Sequence, residues 1–275
     1  MRAPGAAAGL MTLLLAQGAV AGELDIPAQY AKAVDRANQL GQLIYLHDSA
    51  ASRATDELMR RGILEKDKRL RGWLTDQVGD SDEVIVSFVG EDLRNPVVLY
   101  FLNVSGDRPP EFKSPDPAAP LDAAHRGRWL AREAAKKLLV ARTDRCGESY
   151  NTVVLPAASD GSSGIRVYFL AATSQPDLMI AGGHFLYEFN ADGTKLKSQR
   201  AFTRSCIDIS LKADPEKGEL KAITLTHLLD PTPTEIHTFL SRNYGQNIYL
   251  GTTGNSMMWI IMGGNIVAAT DVSKK

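Results

Sequence analysis

Two histidines, His227 and His237, flank one short proline-rich turn, and Asp230 lies between them. Two imidazoles and one carboxylate are an ordinary ligand set for zinc, and a catalytic zinc site needs three such ligands and an open position for water. Histidines at a strand end or on a first helical turn are also commonly structural residues held by hydrogen bonds. The sequence therefore leaves two hypotheses open, a metal site and a structural corner.

The residues around this pair predict a strand, a tight turn and a helix. A strand is predicted over 222–227, and a helix is predicted to continue to about Asn243. Thr232 suits the N-cap position, Pro233 suits the first helical position, and Glu235 follows the cap by three residues to close a capping box. These residues explain the corner without any functional role, although the turn could bring the three candidate ligands together.

The order of these elements, over roughly residues 165–270, resembles the C-terminal half of the JAMM metalloprotease fold. In that family a strand ends in His-x-His-Pro and a Pro-Ser-x-x-Asp segment opens a helix. Two histidines and the aspartate bind zinc, and an upstream glutamate acts as acid and base. His227 stands in the place of the second histidine and His237 in the place of the aspartate. The resemblance implies a zinc-dependent hydrolase of the peptidase type, with Glu188 as the upstream glutamate.

The sequence departs from the family pattern at the residues that matter for zinc. Leu225 replaces the first histidine, Leu228 replaces the proline, and Thr234 replaces the serine. The gap before His237 is one residue shorter than usual. Because a leucine cannot bind zinc, the corner offers only the two histidines, with Asp230 as a third ligand. A degenerate site that is retained for binding is the interpretation between the two hypotheses.

The first 21 residues have the features of a secretory signal peptide. Arg2 supplies the positive start, residues 9–16 form an apolar segment, and Ala19-Val20-Ala21 is a cleavage signal of the small-x-small type. We expect cleavage after Ala21 and export to the periplasm or out of the cell. The apolar segment is much shorter than the ~20 residues that a membrane span needs. No later stretch is long enough either, so no membrane span is expected.

The chain is nearly neutral, with 31 basic and 32 acidic side chains and a formal net charge of −1. This balance gives no reason to expect nucleic acid or an anionic membrane surface as a partner. The sequence contains no P-loop, dinucleotide fingerprint, EF-hand loop or His-Glu-x-x-His motif. The leading hypothesis is therefore an exported, soluble binding or interaction protein that has no catalytic activity and no cofactor. Its partner would be a protein or a small molecule, and a zinc-dependent hydrolase is the alternative.

The sequence contains two cysteines, Cys146 and Cys206. In an exported protein such a pair most simply forms one disulfide. Closing so long a loop would add about 4 kcal/mol to the stability in the entropic model. The alternative is a catalytic thiol with His184 as its base, although no neighbouring residue indicates an activated thiolate.

The periodicity of apolar residues predicts an α+β fold in two parts. Residues 22–105 are expected to form a helical hairpin and a small antiparallel sheet. His47 and Asp48 lie at the junction of the two predicted helices, 26–46 and 48–61, where Asp48 or Ser49 suits the cap of the second. A meander of three strands is predicted over 72–78, 83–89 and 97–104.

The second part begins after a proline-rich stretch, 106–120, which is expected to be a linker. Residues 121–275 are predicted to form an α+β region with a mixed sheet. A helix is expected over 121–140. Turn signals separate the strands that follow, which are predicted over 151–155, 165–173, 183–189, 196–203, 207–211, 222–227, 247–250, 257–261 and 265–269.

Overall fold

A computed structural model describes residues 25–90, 95–147, 149–156, 164–212 and 220–273. The predicted signal peptide, residues 1–21, lies outside the described residues. The predicted α+β class is confirmed. Within the described ranges, no helix combines the length and the apolar character that crossing a membrane requires.

The N-terminal region contains one continuous helix, α1 (Ala31–Arg60), instead of the predicted hairpin of two helices. The expected break at Asp48 is wrong because residues 42–61 contain neither glycine nor proline, so nothing interrupts the backbone hydrogen bonds. The helix ends just before Gly62, whose φ of +67° is a left-handed conformation that glycine adopts without strain. A single 3₁₀ turn precedes α1, and the short helix α2 (Ile63–Lys66) follows it.

The first sheet contains the predicted antiparallel meander, which is confirmed. Its strands are β1 (Leu70–Gln77), β2 (Val84–Gly90), β3 (Val97–Val104), β4 (Glu111–Lys113) and β5 (Ala119–Pro120). Both β4 and β5 pair with β3. The stretch 106–120, which was expected to be a linker, therefore contributes two short strands to this sheet.

The second sheet is antiparallel and follows helix α3 (Ala123–Val140). In spatial order its strands are β10 (Leu196–Ala201), β9 (Phe185–Asn190), β7 (Gly164–Ala172) and β6 (Ser149–Leu155). Two short strands pair beside it, namely β8 (Leu178–Ile180) and β11 (Asp208–Ser210).

The third sheet is mixed, as predicted for the C-terminal half. Its strands are β12 (Ile223–His227), β13 (Ile248–Thr252), β14 (Met257–Met262) and β15 (Asn265–Asp271). Strand β12 runs parallel to β13, because helix α4 (Glu235–Tyr244) carries the chain back between them, and the other pairs are antiparallel. The corner that holds the two histidines is the connection from β12 to α4.

Helix α1 belongs to two hydrophobic cores. Its first half packs with α4 and with the second and third sheets, through Val34, Ala37, Leu40 and Ile44. Its second half packs on the first sheet, through Ala50, Ala54 and Leu58. Helix α3 contributes to a further core that includes β1 and the second sheet, where Trp129 is almost fully buried. The middle of α1 therefore lies where the two α1 cores meet.

The predicted disulfide between Cys146 and Cys206 is confirmed. The hypothesis of a catalytic thiol is therefore wrong, since both sulfur atoms are bonded to each other. His184 has a structural role, because its Nδ1 accepts from the Ala171 amide at 3.1 Å and its Nε2 lies 3.0 Å from the Ile180 carbonyl. Gly183 passes so close to the disulfide that a Cβ there would lie 2.4 Å from the Cβ of Cys146.

Candidate functional site

The three residues predicted as metal ligands come together at the connection from β12 to α4. The rings of His227 and His237 meet edge to face, with their centroids 4.7 Å apart. The Nε2 atom of His227 lies 2.8 Å from the Asp230 carboxylate. We call this group, with Thr234, the His227 corner. Both histidines are buried, with exposed fractions of 3% and 6%.

Helix α4 begins two residues later than predicted, because its N-cap is Thr234 and not Thr232. The backbone N–H of Thr234 donates to Nδ1 of His237 at 3.0 Å. His237 thus supplies the acceptor that a capping box usually takes from a glutamate. Glu235 accepts a hydrogen bond from the Tyr168 hydroxyl instead, at 3.0 Å.

The charges in the His227 corner are satisfied by the protein itself. Burial acts to raise the pKa of Asp230, but hydrogen bonds from His227 and Arg200 outweigh it and hold that pKa at about 2. Arg200 reaches the two carboxylate oxygens at 2.7 and 3.3 Å. Burial, with the nearby His227, lowers the pKa of His237 to about 3. At neutral pH the carboxylate is therefore paired and the His237 ring is uncharged.

These donors, as arranged, do not fit a zinc ion. The Nε2–H of His227 is directed at Asp230, and Nδ1 of His237 has accepted the amide of the helix cap. A metal ligand must offer a free lone pair. In the described part of the chain, no three His, Cys, Asp or Glu side chains are placed so that they could hold a metal ion. Zinc binding therefore stays a prediction. In this geometry the described residues do not form a ready zinc site.

Glu188, the candidate acid and base, is on β9 and is held by two neighbours. Its carboxylate accepts from Arg166 at 3.0 Å and from the Ser198 hydroxyl at 2.5 Å. Burial acts to raise its pKa, but these hydrogen bonds and the arginine charge outweigh it and lower the pKa. Strand β10 carries both Ser198 and Arg200, so Glu188 and the His227 corner are neighbours on one sheet face. Among the described residues no hydrogen bond joins them.

A different set of polar residues, which we did not predict as a site, lines an open cleft of about 550 Å³. We call it the His47 cleft. Helix α1, strand β1 and helix α3 form its walls. The polar residues that line it are Gln39, Gln42, His47, Thr75, Asp76, Gln77, Asp80 and Arg128.

His47 is the most buried histidine of this cleft, with an exposed fraction of 2%. Its Nδ1 lies 2.8 Å from the Thr75 hydroxyl. Among the described residues the only side-chain hydrogen bond of His47 is the one to Thr75, and it does not involve the other ring nitrogen, Nε2. Burial lowers the pKa of His47 to about 4, and the charge of Arg128 adds to that effect. The cleft therefore contains a neutral imidazole, one nitrogen of which has no hydrogen-bond partner among the described residues.

Arg128 is the cation of the cleft and is also buried, with an exposed fraction of 4%. It donates to the Thr75 carbonyl at 3.0 Å and to the Asp76 carboxylate at 2.5 Å. His125 holds the other Asp76 oxygen at 3.1 Å. Burial acts to raise the pKa of Asp76, but Arg128 and His125 outweigh it and lower that pKa. The hydrogen bond between His125 and Asp76 in turn raises the pKa of His125. The deep wall of the cleft is thus polar with its charges paired.

A signal in the sequence could have identified His47 and its neighbour Asp48. They follow Ile44 by three and four residues, and Ile44 is fully buried. In an amphipathic helix those positions belong to the buried face. Two polar residues there are unusual, because burial of a polar group costs free energy unless a partner compensates it. The pair lies inside the continuous helix α1 and not at the predicted helix junction.

Comparisons of the chain with protein-family models, curated proteins and solved structures found no match. The resemblance to the JAMM family therefore stays a prediction. Function has to be argued from the chemistry of the sites themselves.

Proposed function

We propose that this chain is an exported binding protein that takes a small, polar, uncharged ligand in the His47 cleft. The observation that carries the proposal is the buried imidazole of His47, whose Nε2 has no partner among the described residues and whose side chain lines the cleft. A volume of about 550 Å³ falls within the ~300–1,000 Å³ that small-molecule sites commonly have. A ligand would complete the hydrogen bonding of this ring.

The lining of the cleft supports a ligand that forms many hydrogen bonds and carries no charge. Three amide side chains, Gln39, Gln42 and Gln77, offer both donors and acceptors. Arg128 is already paired with Asp76, so a charged ligand would have to compete with an ion pair inside the protein. Neutral amides and sugars suit such a wall better than ions do.

The proposal includes no catalytic step. The Thr75 hydroxyl lies beside an imidazole, as in a nucleophile-and-base pair. In a working triad, however, one ring nitrogen contacts the nucleophile and the other is oriented by a third group. Here Nε2 of His47 has no orienting partner among the described residues, so the arrangement supports binding and does not support acyl transfer.

Export rests on two features that agree with each other. Residues 1–21 have the pattern of a cleaved signal peptide. The disulfide between Cys146 and Cys206 suits an oxidising compartment such as the periplasm or the extracellular space. A free-thiol titration of denatured protein is expected to find no reactive thiol, and two reactive thiols would contradict this part of the proposal.

The glutamines allow the binding proposal to be tested by NMR. A panel of neutral amides and sugars is added at millimolar concentration to ¹⁵N-labelled protein. We expect at least one probe to shift the side-chain amide signals of Gln39, Gln42 and Gln77, while Gln199 on β10 serves as the control. Loss of these shifts in His47→Gln, with an unchanged spectrum elsewhere, supports the cleft. A panel without any effect there would contradict the proposal.

The zinc-dependent hydrolase is the competing hypothesis, and metal content separates the two. Elemental analysis of purified protein is expected to find less than stoichiometric zinc. Stoichiometric zinc that disappears in His227→Ala would overturn the proposal and favour a metal site at the His227 corner.

A further inference from the structure

A second pocket, of about 370 Å³, opens on the other side of the middle of α1. Asp48, directly after His47 in the chain, faces it. Helix α1, strands β6 and β7, the segment before β8 and helix α4 form its walls. We call it the Asp48 pocket. Its polar lining includes Ser49, Ser52, Arg53, Asn151, Gln175 and Asn243.

The carboxyl group of Asp48 is the buried charge of this pocket, and its exposed fraction is 8%. The Asn151 side chain is its hydrogen-bonding neighbour. No Lys, Arg or His of the described residues forms an ion pair with it. Arg53 also lines the pocket, but its guanidinium donates to the carbonyls of Gly106 and Arg108. This differs from Asp76 and Asp230, each of which has an arginine partner.

Burial of a carboxylate without a cationic partner costs folding free energy. A protein that retains such a carboxylate should therefore bind a cation there favourably. Burial raises the pKa of Asp48 to about 6, and the hydrogen bond from Asn151 offsets only part of that effect. At pH 7.5 the group is therefore ionised although it is buried. A cation that enters the pocket would relieve this cost, because a charge-assisted hydrogen bond forms in place of a lost hydration shell.

The remaining walls of the pocket indicate which chemical group would be attached to this cation. Leu170, Leu178 and Phe239 give the pocket an apolar side, and the rings of Tyr45 and Tyr244 also line it. Aromatic faces and aliphatic carbon suit a hydrocarbon chain next to an ammonium group. A metal ion is less suitable, since one carboxylate with neutral amides and hydroxyls offers too few anionic ligands.

We propose that the Asp48 pocket binds a small organic cation, with a primary ammonium group on the Asp48 carboxylate and a short hydrocarbon body against Leu170 and Phe239. The site is separate from the His47 cleft and would bind a ligand of a different class. Its existence does not depend on the function proposed for that cleft.

Calorimetric or NMR titration with n-butylammonium chloride at pH 7.5 tests the proposal. We expect saturable binding in the millimolar range, and we expect Asp48→Asn to weaken it at least tenfold. The control variant Asp56→Asn changes an exposed aspartate on the same helix and should leave binding unchanged. The control ligand n-butanol has the same body without the charge and should bind at least tenfold more weakly.

Three results would each overturn the proposal. They are the absence of saturable n-butylammonium binding to the wild-type protein, unchanged binding by Asp48→Asn, and equal binding of n-butanol. Circular dichroism checks that Asp48→Asn is folded. His47→Gln is expected to bind n-butylammonium normally, so that failure of one site is distinguished from failure of the other.

Discussion

The His227 corner holds two buried histidines and a partly buried aspartate, and the middle of α1 holds one buried histidine and one buried aspartate. The two regions differ in what satisfies these side chains. In the corner, Arg200 and the helix cap supply partners, so Asp230 and His237 are engaged by the protein itself. In α1, Nε2 of His47 and the charge of Asp48 lack such partners in the described residues and face cavities. Burial alone therefore does not indicate a site. What matters is whether the hydrogen-bonding and charge requirements of the buried group are met.

The largest expected effect is a gain of stability when the uncompensated charge is removed. The pKa of Asp48 is raised from 3.8 to about 6, so between these pH values the folded state holds a proton that the unfolded state has lost. This difference makes the wild type less stable as the pH rises through that window, by about 3 kcal/mol. Asp48→Asn should therefore unfold at a higher denaturant concentration than wild type at pH 7.5, and the two should be nearly equal at pH 4.

A loss of about 2 kcal/mol is expected from His237→Phe, which keeps a ring of similar size. The substitution removes the acceptor of the Thr234 amide and leaves a buried N–H without a partner at the start of α4. Urea unfolding measures the change. Stability equal to wild type would show that the hydrogen bond from the Thr234 amide to His237 does not hold the corner.

A smaller loss, about 1.5 kcal/mol, is expected from Asp230→Asn. The amide keeps one acceptor oxygen but loses the charge that Arg200 and His227 contact. Because the pKa of Asp230 is lowered from 3.8 to about 2, its contribution is present above pH 3.8 and is lost as the pH falls towards 2. The variant and the wild type should therefore converge in acid, which unfolding curves measured between pH 5 and pH 2 can check.

The smallest expected effect is that of His47→Gln, a loss of less than about 1 kcal/mol. A glutamine side chain can still reach the Thr75 hydroxyl. The hydrogen bond between residue 47 and Thr75 is therefore weakened but not lost. Ligand binding in the His47 cleft should nevertheless be lost. If His47→Gln is instead destabilised as strongly as we expect for His237→Phe, His47 is a structural residue like the histidines of the His227 corner.

Much of the fold could be predicted from the sequence, because its signals are local. Apolar periodicity identified most strands, although not the short strands β4, β5 and β8, and the predicted helix end at residue 61 agrees with the end of α1. The pairing of Cys146 with Cys206 followed from the count of cysteines. The predicted corner was correct in position and was wrong only in its cap, since a histidine ring that replaces glutamate is not part of the capping-box pattern.

The candidate sites could not be predicted in the same way, because they depend on contacts between distant parts of the chain. Asp48 resembles a helix cap when it is considered with its neighbours in sequence. Only the contacts with Asn151 and α4 show that it is a buried residue beside a cavity. Likewise, Arg128 becomes part of a cleft only because α3 packs beside β1.

The uninterrupted course of α1 has a consequence for how the molecule unfolds. One backbone ladder of hydrogen bonds runs from the core shared with α4 to the core on the first sheet. Each half of α1 packs in a different core and the helix continues between them without a break, so we expect the two cores to unfold together. Calorimetry should record a single cooperative peak, and cleavage of the chain within 106–120 should leave the two fragments associated.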